Sequence, residues 1–343
     1  PEDHYLSANQ HFCISAMRRY PVAEFIDMVN AHGIAYHEKK LGQLFCDHSA
    51  QDIVDMLLDE AAKAGVQIRL KSEVCKVIPD ASGFRVNVTK STGKTAIDTY
   101  ALDAPRVVLA SGGLSLPKIA SDLAYRTARE LGMSVVAPSP ALVPLTWNNA
   151  DKAEFAELSG VAVDCEISSS GQSFRENLLF THRGLSGPAI LQASSYWHPG
   201  EDVNINLLPE HDVLAWLHQM RQDRGKILLS NALKGLLPNR LVEAVIDRWF
   251  DDQTLGDMSA AQCEQLARQL QAWRFRPGGT EGYRTAEVTL GGLATTEFSS
   301  KSFEAKNYPG LYAIGEALDV TGWLGGYNFQ WAWASGYCCA KQL

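Results

Sequence analysis

Two short apolar stretches about two hundred residues apart run straight into small residues: VVLASGG at 107–113 and LYAIGE at 311–316. An apolar run that stops on glycine suits a strand buried on both faces of a parallel sheet, which requires long crossover connections. In open parallel sheets ligands sit beyond the carboxyl ends of the strands, where small residues admit the backbone and helix N-termini offer N–H donors. One such junction alone is most often a plain turn. The second junction is followed by ALDVTGWLGGYNFQWAWASG, which places Glu316 and Asp319 just past a strand end, where a sugar hydroxyl would need a carboxylate acceptor. Gly322, Gly325 and Gly326 then lead into a helix opened by Tyr327, Asn328, Phe329 and Gln330. A C-terminal helix packing Trp331, Trp333 and Tyr337 on a sheet accounts for the aromatics, but not for two acids and three glycines in front of it.

The rest of the chain alternates in texture. Residues 21–32 (PVAEFIDMVNAH) carry proline at a helix entry and apolar residues at helical spacing, and stop at Gly33. A second helix is expected from Ser49 as N-cap to Gly65, followed by strands in VQIRLKSEVCKVI and GFRVNVTK. From Ala137, APSPALVPL, VAVDCEIS, SFRENLLFT and DVNINLLP read as a mostly antiparallel β unit, and residues 209–275 turn helical. The expected organisation is an α/β domain of residues 1–137 and 287–343, interrupted by a β domain of residues 138–208 and 276–286 that carries a helical insertion at 209–275.

Composition narrows the class. With 46% hydrophobic and 20% charged residues among 343, the chain reads as a soluble globular enzyme of more than one structural unit, cytoplasmic by default. Seven scattered cysteines without a C-x-x-C pair argue against a disulfide framework and against a zinc site. A net charge of −8 gives no global attraction to nucleic acid. Local basic patches remain, around Arg18, Arg19, Arg274 and Arg276, and in the helical insertion at Arg221, Arg224, Lys226, Lys234 and Arg240.

The closing segment, VTLGGLATTEFSSKSFEAKNYPGLYAIGEALDVTGWLGGYNFQWAWASG, resembles that of the YhiN-type flavoproteins, the BaiN/RdsA family of NAD(P)/FAD-dependent oxidoreductases. HFCISAMRRY, YHEKKLGQLFCDHSAQDIVDML, SEVCKV, LASGGLSLPKIAS, ALVPL, FRENLLFTHRGLSGPAILQASSYW and GTEGYRTAEVTLGG resemble the family's other blocks in order, across essentially the whole chain. The resemblance implies a discontinuous Rossmann-like, two-dinucleotide-binding-type FAD domain, an inserted β-barrel-like domain and a helical subdomain. Such proteins open with a strand and a G-x-G-x-x-G helix. The chain shows neither, so the resemblance implies that this segment precedes Pro1, and FAD binding by the polypeptide as it stands is left open.

For the cofactor, the resemblance points to Val74 beside the adenine and to Ala110, Ser111 and Gly112 near the adenosine. It also points to Glu316 and Asp319 near the phosphate and ribityl chain, and to Gly325, Gly326 and the backbone N–H groups of Asn328 and Phe329 at the pyrimidine edge of the flavin. For the substrate, the candidates are Thr181, Arg183 and Ser186 in FTHRGLSGP, with Tyr283 and Arg284 in EGYRTAEVTLGG. His182, Tyr36 and Cys46 are the candidate proton donors. The implied chemistry is NAD(P)H-linked reduction of a C=C bond conjugated to a carbonyl, in a uracil ring of ribosomal RNA or a small enone. Two readings stand against it: a non-catalytic module that binds RNA or another partner, and a flavin monooxygenase.

Overall fold

The two glycine-ended strands lie side by side. In the computed structural model, which describes residues 2–91 and 97–343, Leu311–Ala313 pairs in parallel with Val107–Leu109, Leu311 opposite Val107 and Ala313 opposite Leu109. The ladder extends past both ends, with Val107 N–H donating to the Gly310 carbonyl and Ile314 N–H to that of Leu109. Leu109, Leu311 and Ala313 are buried, as expected of a parallel pair covered on both faces. This is the mixed α/β, Rossmann-like fold that the sequence leads one to expect.

The chain divides into two compact units, one of Pro1–Ser139 with Val288–Leu343 and one of Pro140–Glu287. In the first, the closing helix Tyr327–Ala340 packs Trp331 into the core at 1% exposure. Its indole N–H donates to the Gly315 carbonyl at 2.9 Å, so the helix is pinned to the turn that follows the strand. Phe12 and Phe303 meet the same ring edge-on or tilted. The helix Val22–Ala31 opens after Pro21 and stops just before Gly33, whose φ of 67° takes the chain out of helical geometry. It stacks Phe25 on Trp333.

One expected strand is absent. VQIRL leads into the strand Ser72–Asp80 but is not part of it. Val66, Ile68 and Leu70 are 56%, 54% and 75% exposed. Their period-two spacing is that of a strand, yet a strand is defined by its ladder, and no neighbour among the described residues offers one. The sheet that does form here is a three-stranded meander of Ser72–Asp80, Gly83–Ser91 and Ile97–Ala104.

The second unit is built on a seven-stranded antiparallel sheet. It runs in spatial order through Trp273–Phe275, Val203–Asn206, Ala162–Ser169, Gln172–Phe180, Gly184–Ser186, Leu145–Thr146 and Gly279–Thr280. Alternation fixes its register: Val163, Cys165, Ile167 and Ser169 are buried, while the residues between them are not. The helices Val213–Arg224, Leu229–Leu233, Asn239–Trp249 and Ala260–Gln271 make up the helical part. Pro238 separates the second from the third, and a reciprocal Ser259–Gln262 capping box opens the last. Among the described residues no helix is long and apolar enough to cross a membrane.

Because Trp331 combines full burial with a hydrogen bond to the Gly315 carbonyl, Trp331→Ala is expected to lower stability by about 3–5 kcal/mol. Urea unfolding followed by circular dichroism would measure the loss.

Candidate functional site

The strand ends of the first unit are held together by one buried threonine. Thr289, in the strand Val288–Leu293, accepts the Leu114 and Ser115 N–H groups at its Oγ1 (2.7 and 3.1 Å). Its own N–H donates to Glu316 Oε1 at 2.5 Å, and its carbonyl accepts from Thr321 Oγ1 at 2.9 Å. Ser115 Oγ donates to the same Glu316 oxygen. This packing explains a glycine: a Cβ on Gly113 would stand 2.4 Å from Thr289 Oγ1 and 2.9 Å from Glu316 Oε1. Glu316 Oε2 is turned toward Gly112, 3.8 Å from where a Cβ there would stand. Ser111 Oγ is buried without a hydrogen-bond partner. Ser111, Gly112 and Glu316 are thereby brought into one cluster, and Ala110 begins the turn that carries it.

Asp319 is 3% exposed, and its Oδ2 accepts the Ala8 N–H at 2.9 Å. Burial raises its pKa above the usual carboxylate value, and the Ala8 bond opposes the shift. Past it, Asn328 folds its side chain back onto the loop: Oδ1 accepts Gly322 N–H at 2.7 Å, and Nδ2 donates to the Gly322 carbonyl at 2.8 Å. Only the backbone of Asn328 is left for a ligand. Gly326, at φ 94° with nothing within 4 Å of an added Cβ, precedes the first turn of the closing helix, and no side chain caps that end. Phe329 is 65% exposed and stacks on Trp333. Val74 packs on the hydrophobic core of the unit, next to a register break in its strand pair.

Tyr36 and Cys46 stand directly opposite each other in the hairpin Tyr36–Glu38 with Leu44–Cys46. Gln43, in the hairpin loop, would meet a Cβ on Gly325 at 2.9 Å. The hairpin therefore reaches the glycine loop before the closing helix. His37 Nδ1 lies 2.7 Å from Asp47 Oδ1.

The second unit holds the other candidates. Thr181 Oγ1 donates to the Gly184 carbonyl and accepts the Arg183 and Gly184 N–H groups. The Trp147 indole donates to the Thr181 carbonyl at 3.0 Å. Thr181 is thus committed to shaping its turn, while His182 and Arg183 are exposed on it. Arg183 lies 3.6 Å from Glu281, and Ser186 ends the short strand Gly184–Ser186. Arg284 is exposed, and Tyr283 and Thr285 each carry a buried hydroxyl without a partner. A cleft of about 820 Å³ lies elsewhere in this unit, lined by Glu154, Glu157, Glu243, Asp247, Arg240 and Arg248 among others. It contains none of the candidate site residues. Sequence reading passed over Thr289, Gln43 and Thr285; a threonine inside an apolar strand, as in EVTLGG, was the one available signal.

A strand-end turn of small residues, an unpartnered serine hydroxyl, a carboxylate oxygen facing a glycine and an uncapped helix N-terminus after two left-handed glycines fit a nucleotide-type cofactor such as FAD. The class is that of a Rossmann-type dinucleotide-binding protein. A model of the HI0933-like protein Rossmann domain matches residues 1–342, and the chain belongs to that family. It is 50% identical over 342 residues, covering 99% of this chain and 83% of the relative, to the ribosomal RNA dihydrouridine synthase of Escherichia coli (strain K12). It is 46% identical over 343 residues, covering 99% and 84%, to the ribosomal RNA dihydrouridine synthase of Haemophilus influenzae. A 3-dehydro-bile acid delta(4,6)-reductase of Clostridium scindens is 29% identical over 296 residues, covering 80% and 71%.

The raised pKa of Asp319 has a definite pH signature. Its ionisation opposes folding, so its favourable contribution is complete below the unfolded pKa and is lost as pH rises through the folded one. Asp319→Asn is therefore expected to gain stability relative to the parent as pH rises above about 4. Paired urea titrations across that range would measure the divergence.

Proposed function

We propose that this chain belongs to an FAD-dependent oxidoreductase that reduces a C=C bond conjugated to a carbonyl, and that its substrate is a uracil ring of ribosomal RNA. The observation that carries the reading is a coincidence: the cofactor-type cradle at the strand ends lies in a chain matched end to end, at 50% and 46% identity, by two relatives named as ribosomal RNA dihydrouridine synthases. The bile acid reductase is more distant, at 29%. Its name denotes reduction of a C=C bond, which is also what converts uridine to dihydrouridine.

Bound FAD would supply hydride transfer, with NAD(P)H as the electron source. The chain's own residues then have distinct tasks. Ala110, Ser111 and Gly112 offer a small-residue turn and a free hydroxyl at the adenosine side, and Val74 lends its backbone to the adenine. The outer oxygen of Glu316 would accept from a ribityl hydroxyl. Asp319, tied to Ala8, shapes the same wall. Gly325 and Gly326 let the backbone approach, and the N–H groups of Asn328 and Phe329 favour negative charge at the pyrimidine edge. Tyr36, Cys46 and His182 are the candidate proton donors, and Thr181, Arg183, Ser186, Tyr283 and Arg284 the candidate substrate residues.

For RNA, the helical part of the second unit supplies exposed Arg224, Lys226 and Lys234. Arg240 is also exposed, with its guanidinium oriented by the Glu157 and Ser159 carbonyls. Arg221 is likewise bonded through Nε to the Leu255 carbonyl.

The flavin-loaded protein is expected to be yellow and, with NADH or NADPH, to convert uridine to dihydrouridine in unmodified ribosomal RNA, read by nucleoside mass spectrometry. A colourless protein that takes up no FAD overturns the reading. Turnover of a steroid enone with no change in RNA replaces its substrate.

A further inference from the structure

The two oxygens of Glu316 face different surroundings. Oε1 accepts from two neutral donors, the Thr289 N–H at 2.5 Å and the Ser115 hydroxyl at 3.2 Å. That side is closed, with Thr289, Ser115 and Gly113 all buried. Oε2 is turned toward Gly112, and there Ser111, Gly112 and Glu316 itself are only half-buried. A carboxylate has about four acceptor positions, so those still free lie on the open side. The hold on Oε1 is relayed. Thr289 Oγ1 accepts the Leu114 and Ser115 N–H groups at 2.7 and 3.1 Å, which sets the serine where its own hydroxyl reaches Glu316. Thr289 therefore acts on the acid twice, through its N–H and through Ser115.

Clamping changes what the open oxygen can do. A free glutamate loses rotamer freedom when it binds a ligand, whereas this one has lost it in folding. Its charge selects the ligand group. Both donors to Oε1 are uncharged, so no cation within this cluster offsets the carboxylate. A negatively charged oxygen that carries no hydrogen attracts an O–H donor and repels a phosphate. The glycine opposite, with φ at 69° and no side chain, leaves a hydroxyl room to approach.

We propose that Thr289 and Ser115 are positioning residues that set the outer oxygen of Glu316 to accept one hydroxyl of the cofactor's ribityl chain. The inference rests on the flavin reading above and adds to it the device that preorganises the acid. Neither residue touches the cofactor, and each acts through Glu316. The whole relay lies within the first unit, in the strand Val288–Leu293 and the turns after Val107–Leu109 and Leu311–Ala313. Loss of either hydroxyl leaves the acid in place but frees it to turn, so the ligand then has to order it.

The test titrates FAD into the flavin-free protein and follows flavin fluorescence, for the parent and for Ser115→Ala, Thr289→Val and Thr289→Ser. Each protein is titrated as well with FAD analogues that lack one ribityl hydroxyl in turn. A hydrogen bond to a charged group is worth about 10- to 100-fold in affinity, so the parent is expected to bind one analogue weaker than FAD on that scale. Ser115→Ala and Thr289→Val are expected to bind FAD about tenfold weaker than the parent, and to bind that one analogue as the parent does. Thr289→Ser, which keeps a hydroxyl, is expected to match the parent throughout. Thr289→Val also leaves the Leu114 and Ser115 N–H groups unpaired, so its unfolding temperature is expected to fall. Ser115→Ala leaves them bonded to Thr289 and decides the matter where the valine variant does not fold. The readout is affinity and needs no turnover. Parent-like FAD binding by Ser115→Ala overturns the proposal, and so does an equal loss for FAD and every analogue, which would mark the two residues as structural only. Equal binding of FAD and all analogues by the parent also overturns it, because Glu316 then accepts no ribityl hydroxyl. A parent that takes up no FAD would instead refute the cofactor reading beneath it.

Discussion

Thr289 and the inner oxygen of Glu316 form the joint on which the first unit's strand ends depend. The threonine is fully buried and uses hydroxyl, N–H and carbonyl at once, tying together the turn after Val107–Leu109, the acid after Leu311–Ala313 and the segment at Thr321. Two of these partners lie 175 and 27 positions away in sequence. Each of these buried polar groups would oppose folding if left alone. Rigidity at the parallel pair thus comes from side chains reaching across it as much as from its short ladder.

From that joint the cradle follows. Holding Glu316 by one oxygen directs the other toward Gly112, and the absence of a side chain at Gly113 is what allows the threonine to come so close. Trp331 continues the logic by bonding the carbonyl of Gly315, so the turn and the closing helix keep a fixed relation. The second unit solves a similar problem differently. There a tryptophan and a threonine, Trp147 and Thr181, weld the turn that exposes His182 and Arg183, and a wide antiparallel sheet supplies the stiffness.

Much of this was legible in the sequence, and the exceptions share a cause. Strand and helix positions followed from periodicity and glycine stops, as with Val22–Ala31 ending before Gly33, because those signals are local. The roles of individual polar residues were not local. For Asn328 the sequence points to the backbone N–H at a helix start, and what it does not record is that the side-chain amide closes on Gly322. Thr181, a candidate substrate contact, also staples its own turn through Gly184. Arg240 reads as a free cation and grips two carbonyls some eighty positions earlier in the chain. A side chain's partner is set by tertiary structure, and one sequence carries no record of it. VQIRL is the reverse case: its pattern is that of a strand, but a strand also needs a neighbour.

The cysteines make a last point about chemistry at a protein surface. Five of the seven are buried, and burial pushes the Cys165 thiol up to about 12 and the Cys339 thiol up to about 11. Thiolate, not thiol, attacks alkylating reagents, so these groups are shielded twice, by access and by protonation. Cys46 on the hairpin and Cys75 on the meander are less enclosed. Nature has left the first unit with two addressable sulfurs, one on the hairpin and one on the antiparallel meander. A pair of spectroscopic labels could therefore report on that unit's internal motion without a single substitution.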